Sequence, residues 1–590
     1  MADRQPMRAQ KRGRIIEPDV EAAQKKREQY NRLRGKLLQT RSAFEGTWRD
    51  VADHIAPWAV RFLQTESSRE PRRSVKILDS TAQLAARTLR SGLHAGISSP
   101  SRPWFKLSAH DPGLNAYGPV KDWLHAVTTR MYTVFQLSNL YQAMPVSYLH
   151  IGCFGTAGMS ILEDTKHFVR AYTHPVGSYA VGLDRRQVAN TWLREYPMTV
   201  EQVVSEFGRI PDTNEINWEN ISQSTKNKWD QGDTQHTVPV CWMVQPNKDF
   251  DPKRLQSKYL PWISVHFEKG SDSTKLLREE GFNEFPILAP RWDITGEDSY
   301  GTACPGFDSL GDTRQLQVMQ RRKSQGVEIA INPSLQAPTS LRNQKISMLP
   351  ADVTFVDMLQ QKTAAIRPIR EISIEGLRFF TEDIKEIQAR VKDAFYESLF
   401  LMLAQSDGPR MTAREVAERH EEKLLALGPV FERLNDEYFD PLIDRVFSVM
   451  DRRGLIPVPP PEMDGQQLKI EYTSLIAQSQ RLVGAASLDR FLQSVSAIAE
   501  RWPEARHKVR VFAVVDEYGE MLGVNPHLIV ADDEAQKALQ AEQQAAAQQR
   551  ESELMEQGSK TARNLAGSDL ENNNALKRLI DLQQGQGAPQ

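Results

Sequence analysis

The sequence predicts a mixed α+β protein that is predominantly helical. Three observations predict it. Long stretches carry apolar residues at spacings of three and four, and a middle region shifts toward a period of two. In the last sixty residues the composition changes, and the run AQKALQAEQQAAAQQRESELMEQ is rich in Ala, Gln and Glu, strong helix formers with almost no large apolar side chains. At 590 residues the chain is too long for one core, so three or four structural units are expected.

The N-terminal run MADRQPMRAQKRGRIIEPDV is basic without an apolar core, which fits a solvated arm rather than a secretory signal. Residues 20–55 place Leu33, Leu37, Phe44, Trp48 and Val51 among charged residues, an amphipathic helix ended by Pro57. A second helix covers Asp79 to Ile97, with Asp79 or Ser80 as its cap and Leu84, Leu89 and Leu93 as its core stripe. Its many Ala and Gly residues suit close helix packing. SSPSRPWF breaks it, with Trp104 and Phe105 as anchors, and residues 117–149 are again helical. From Gly155 the segments GMSILED, HFVRAYTH, GSYAVGLD and VANTWLREY are expected strands. Residues 200–207 and 218–229 are expected helices, and VPVCWMVQP, PWISVHFEK and EFPILAPRWDI are further strands of an antiparallel sheet.

Residues 308–461 follow a different order. A very polar helix, 308–330, carries only Leu310, Leu316, Met319 and Val327 as its apolar stripe, and spans on the order of 35 Å. Asn332 and Pro333 stop it, and a Pro-rich extended segment follows. A second helix begins near Thr381 with Ile384, Ile387, Val391, Ala394 and Leu399 along one side. After the polar loop Gln405-Ser406-Asp407-Gly408-Pro409-Arg410, Thr412 and Glu415 form a capping box. The helix it starts has a seam of Leu424, Leu427, Phe431, Leu434, Tyr438, Leu442 and Val446, with kinks at Pro429 and Pro441. VPPP is an extended exit, and two or three helices follow between Ser474 and Tyr518. This order suits a ring subunit whose paired helices and loop surround a channel better than an enzyme built around a pocket.

The chemistry-bearing motifs point the same way. The glycine clusters at 153–158 and 296–306 lack the Gly-Lys-Ser/Thr ending of a phosphate loop. No GxGxxG precedes a helix, and no HExxH, GxSxG or zinc spacing occurs. Turns and close packing account for those glycines. The expectation is no enzyme: no catalytic residues, no cofactor and no metal. Cys153, Cys241 and Cys304 are far apart in sequence and read as free buried thiols. No apolar run is long enough for a membrane span. A net charge of −2 excludes a polycation that grips nucleic acid along its length. Arg321, Arg322 and Lys323 are consecutive on a helix and fan over about 200°, so they cannot all face one partner.

Several pieces, in order, carry a family likeness. They are Trp48 with Ile55 and Pro57; Asp79-Ser80-Thr81, the Leu/Gly helix and Pro103-Trp104-Phe105; Phe154-Gly155-Thr156-Ala157; Tyr300-Gly301 with Pro305; and Thr412-Ala413, Leu427-Gly428-Pro429 and Pro441-Leu442. Through them the chain, from about Glu28 to Pro461, resembles the portal (head-to-tail connector) proteins of short-tailed, podovirus-type bacteriophages. Ala303-Cys304-Pro305-Gly306 departs from a tighter Gly-x-x-Pro turn, and the part after Pro461 matches poorly.

The resemblance implies a portal fold, assembled as a ring of twelve at a unique capsid vertex of the virion after assembly in the host cytoplasm. It divides the chain into an N-terminal arm and α+β wing (1–307), stem helix 1 (308–331), clip (332–373), stem helix 2 (374–404), tunnel loop (405–411), kinked wing helix (412–461), crown (462–530) and a helical barrel or flexible tail (531–590). It implies that Gln405, Ser406, Asp407, Gly408, Pro409 and Arg410 face double-stranded DNA, with Arg321, Arg322 and Lys323 as possible stem contacts. Pro338, Arg342, Lys345, Asp352 and Arg367 would sit in the clip that meets terminase and then tail adaptor proteins. Major capsid and scaffolding or internal head proteins are the other implied partners, with no membrane. The alternatives are another head–tail structural protein, such as an adaptor or internal head protein, and a DNA-dependent motor, against which the missing phosphate loop argues.

Overall fold

The computed structural model describes residues 18–62, 77–210, 215–254, 256–270, 275–332, 335–336, 367–368, 374–404, 427–474, 491–522, 530 and 532–566. The chain divides into two units, Met1–Gly484 and Ala485–Gln590, and is mixed α+β with helix predominating.

In the first unit α1 (Pro18–His54) is one unbroken helix of 37 residues. Its C-terminal half buries Trp48, Val51 and Ile55 in the main core, where Trp48 Nε1 donates to Phe154 O at 3.1 Å. Its N-terminal half lies over a sheet. There Tyr30 and Leu37 pack on Leu193, Cys241, Met243, Val265 and Phe267.

In α2 (Thr81–Ile97) the side chain of Asp79, rather than that of Ser80, caps the helix: Asp79 Oδ1 accepts from Thr81 N at 2.8 Å. Ala82, Ala85, Ala86, Leu89, Gly92 and Leu93 are buried, but Leu84 is 52% exposed. Leu84 lies five positions before Leu89, about 140° around the helix, so it faces away from the stripe assigned to it. Trp104 and Phe105 are buried as expected, at the start of β1 (Phe105–Ala109). After a short α3 (Pro112–Ala116), the single helix expected over 117–149 is two, α4 (Gly118–Leu137) and α5 (Leu140–Phe154). Ser138 divides them. Its N–H closes α4 on Val134 O at 3.0 Å, while its hydroxyl accepts from Leu140 N at 3.3 Å and opens α5.

The strands follow. β2 (Met159–Asp164), β3 (Phe168–Thr173) and the short β9 (Ile287–Leu288) make one sheet, in the order β3-β2-β9. β4 (Tyr179–Leu183), β5 (Ala189–Thr199), β6 (Thr237–Pro246), β7 (Trp262–Glu268) and β8 (Arg278–Phe282) make an antiparallel meander in sequence order. The segment 284–294 forms only the two residues of β9, because Pro286 and Pro290 have no N–H for a ladder. Two short helices, α6 (Val200–Val203) and α7 (Gln223–Asp230), flank this sheet, and α7 starts five residues later than expected.

The glycine clusters are packing devices. Gly155 has φ +73°, and a Cβ on Gly301 would stand 2.1 Å from Gly155 O. A Cβ on Gly306 would stand equally close, 2.1 Å, to Cys153 O. All three cysteines are free and buried, and burial pushes the Cys153 and Cys241 thiols up to about 12.

In the second unit, residues 491–501 are helical, followed by a helix at Val511–Leu522 and another at Asp532–Ala566. That last helix covers the Ala/Gln/Glu run in one piece of 35 residues, and Leu539, Leu554 and Met555 on it are exposed.

Candidate functional site: the polar hairpin and its anchors

α8 (Pro305–Asp308) leads into α9 (Leu310–Ile331), which ends at Asn332 as expected. Of its thin stripe only Leu316 is fully buried, and Val327 is 38% exposed. α10 (Ile374–Ala394) buries Ile384, Ile387 and Val391. The second helix breaks where the sequence predicts continuity. Tyr396 takes φ +55°, and α11 (Glu397–Ala404) turns off so that Phe400 packs on Gly92 of α2. Asp312 at the start of α9 pairs with Arg390 near the end of α10 at 3.2 Å. The far ends connect through an antiparallel pair, β10 (Leu335–Gln336) with β11 (Arg367–Pro368). The two helices are therefore an antiparallel hairpin.

One aspartate ties this hairpin to the body. Gln317 Oε1 accepts from Leu78 N (2.7 Å) and Asp79 N (2.9 Å), and Gln317 Nε2 donates back to Asp79 O at 2.9 Å. Gln388 of α10 donates to Asp79 Oδ2 at 2.8 Å. The Asp79 carboxylate thus caps α2 and holds α10, while its backbone holds α9. The sequence signal was a glutamine beside the apolar stripe on each helix, which reads as surface until a third element arrives.

The hairpin exposes one acidic row. Glu375, Glu382, Glu386 and Asp393 recur at steps of seven and four on α10, and all are exposed on the side opposite Ile384, Ile387 and Val391. On α9, Arg321 and Arg322 are exposed and Lys323 is partly buried, and none of these side chains has an ion-pair or hydrogen-bond partner among the described residues. The backbone of Arg367 pairs with Gln336. Pro338, Arg342, Lys345 and Asp352 lie outside the described residues, as do Gln405, Ser406, Asp407, Gly408, Pro409, Arg410, the Thr412/Glu415 box and Leu424.

The seam after that loop is as expected from Leu427 on. Leu427, Leu434, Tyr438, Leu442 and Val446 are fully buried. Pro429 lies in the first turn of α12 (Gly428–Leu434), where its missing N–H costs nothing, and the helix expected before it lies outside the described residues. Pro441 does disturb the helix. The turn before it, Asn435–Phe439, widens to a π-helix before α13 (Asp440–Arg452), which spares the proline ring a clash.

The widened turn carries Glu437, which meets Arg291. Arg291 Nη2 donates to Glu437 Oε1 at 2.5 Å, and its backbone N donates to Oε2 at 2.8 Å. The rest of the guanidinium donates to Asp298 O (2.8 Å) and Gln187 O (2.9 Å). Further along α13, Arg445 and Arg452 share Glu284 and Glu163, with Arg452 at 2.6 and 2.7 Å from them. Burial lowers the pKa of Arg445, and Glu284 opposes that shift. β12 (Leu468–Tyr472), which the sequence reading missed, then pairs antiparallel with β1, and Tyr472 OH donates to Asp440 of α13.

α1 is fastened by Arg27, Arg34 and Arg41, spaced seven apart, with Lys26 beside the first. Lys26 pairs with Glu279 of β8, Arg27 Nη2 donates to Glu268 O of β7 at 2.7 Å, Arg34 pairs with Glu195 of β5 at 2.5 Å, and Arg41 Nη1 donates to Tyr179 O of β4 at 3.3 Å. Seven helical residues rise about 10.5 Å, close to two strand spacings, so successive hooks meet different strands. Arg27 also stacks on Phe267 at 3.7 Å, and burial brings its pKa down to about 10.

Among the described residues there is no group of acidic, His or Cys side chains arranged for a metal, and no helix is long and apolar enough to cross a membrane. The arrangement is one of anchors around a polar hairpin. The comparisons with known proteins give the family. A family model for the bacteriophage head to tail connecting protein matches residues 27–530. The chain is 42% identical over 552 residues to the portal protein of Salmonella phage epsilon15, covering 93% of this chain and 97% of that one. It is 39% identical over 544 residues to the probable portal protein of Bordetella phage BPP-1, covering 92% and 96%. The chain belongs to the bacteriophage head-to-tail connecting, or portal, protein family.

Proposed function

We propose that this portal protein assembles as a ring, of twelve copies, at a unique capsid vertex, and that double-stranded DNA passes through it during packaging, retention and ejection. The carrying observation is the polar antiparallel hairpin in a chain of this family. A helix with so few buried side chains needs water or copies of itself around it, and a ring supplies both. In this reading 308–331 and 374–404 are the stem, 332–373 the clip that docks terminase and then tail adaptor proteins, and 405–411 the tunnel loop. The α+β part before residue 308 is the wing, 412–461 the kinked wing helix, 462–530 the crown and 531–590 a barrel or tail, with the capsid and scaffolding or internal head proteins outside.

Sliding requires that DNA not be gripped. Neutralising 6–10 phosphates changes affinity by about 10³–10⁵ between low and moderate salt. A net charge of −2 and the acidic row Glu375, Glu382, Glu386 and Asp393 offset the basic side chains of the hairpin, and in this reading Arg321, Arg322, Lys323 and, on the loop, Arg410 are the DNA contacts. Rings that shorten the loop by deleting 406–409 are expected to package DNA and then lose it. The measurement is genome content of filled heads after storage, and full retention in the deletion would refute the loop's role.

A further inference from the structure

A cleft of 320 Å³ opens between the start of α5 and strands β3 and β5, and shares no residue with the hairpin. Arg194, His174, Gln142, Tyr172 and Val146 line it. The Arg194 side chain has no hydrogen-bond or ion-pair partner among the described residues, and its Nε is buried without one. Its guanidinium carbon sits 4.4 Å from the Tyr196 ring centre. The neighbouring acid, Glu195, is held by Arg34 at 2.5 Å and Lys269 at 3.2 Å instead. His174 is fully buried, shares a 2.9 Å hydrogen bond with Ser160 Oγ, and is kept neutral by that burial. Burial lowers the Arg194 pKa, Tyr196 opposes this, and Arg61 adds repulsion; no carboxylate acts on it. Arg194 is half-buried, and a partly desolvated cation with no carboxylate beside it carries a cost that an arriving anion relieves.

The other walls say what kind of anion fits. Asn139 is occupied by Ala171, donating to its O at 2.7 Å and accepting from its N at 2.8 Å. The hydroxyl of Thr173 donates to Ala143 O at 3.0 Å. The side-chain polar ends of Gln142 and Tyr172 have no hydrogen bond among the described residues, and Tyr172 and Val146 are 44% and 37% exposed. The cleft therefore offers one guanidinium fork at its wall, two polar groups at its rim, and apolar sides. It is too narrow to admit a duplex, and it has room for a side chain.

We propose that this cleft binds an acidic peptide segment of a partner protein, with a glutamate or aspartate carboxylate on Arg194 and its aliphatic stem against Val146 and Tyr172. The test uses the full chain and a fluorescent hexapeptide of alternating glutamate and leucine, followed by anisotropy. A glutamine/leucine peptide and inorganic phosphate serve as competitors. Binding is expected to fall at least tenfold in Arg194→Met, with the urea midpoint of the unliganded variant equal to or above that of wild type. Arg194→Lys, which keeps charge and loses the fork, should fall between. Gln142→Ala with Tyr172→Phe, at the exposed rim, should weaken binding about threefold whether or not the Arg194 variants fold. Equal binding to wild type and Arg194→Met, an unchanged rim variant, or competition by the neutral peptide or by phosphate as effective as by the acidic peptide would overturn the proposal.

Discussion

Glu437→Ala is expected to destabilise the first unit by about 3 kcal/mol or more, read as a fall in the urea midpoint. The Arg291 side chain is 5% exposed, and its partner carboxylate is the only acid it meets among the described residues. Removing that carboxylate strands a buried guanidinium and also frees the Arg291 N–H that Glu437 accepts at 2.8 Å. The two remaining carbonyl acceptors, Asp298 O and Gln187 O, do not neutralise the charge. The physical signature is non-additivity. Arg291→Met combined with Glu437→Leu should be less destabilised than Glu437→Ala alone, because no charge then stays buried. Because Glu437 sits in the π-turn made by Pro441, the pair also fixes where the long helix changes direction. A midpoint within error of wild type for Glu437→Ala would show that the helix is held by its apolar seam alone.

Gly301→Ala should be comparably severe, by about 3 kcal/mol. The added methyl meets Gly155 O at 2.1 Å, a backbone atom that cannot rotate away, and Gly155 is itself held at φ +73°. Thr156 Oγ1 accepts from Gly301 N at 2.7 Å, and Trp292 N donates to Gly155 O at 2.8 Å, so a backbone shift breaks bonds on both sides. Gly35→Ala is the control. It lies exposed inside α1 with nothing within 4 Å of the new methyl, and should gain about 0.5–1 kcal/mol from helix propensity. Thermal unfolding of the pair separates close packing from chain entropy. Equal shifts for both would contradict the packing account.

The parts legible in the sequence were those written in one element. The 37-residue α1, the polar α9, the paired β5–β6–β7 and the Leu427–Val446 seam each announce themselves by period. What failed needs a partner to be visible. β8 (Arg278–Phe282) reads REEGF, charged and without alternation, and is a strand because β7 offers it an edge. β12 exists because β1 lies beside it. Tyr396 breaks the second helix to bring Phe400 onto Gly92, which no local pattern shows. The Asp79 junction joins residues more than 230 positions apart, and Arg291–Glu437 are 146 apart. Arg194 is one polar residue of a strand in the sequence, and only the fold shows that its side chain lacks a counter-ion.

The central claim is the ring, and native mass spectrometry of the purified full-length chain tests it most directly. The account predicts one closed species near twelve copies, about 800 kDa for a 67.0 kDa chain, with a central hole in images of the same sample. Monomers, dimers or open chains at every concentration, with no closed ring, would contradict it.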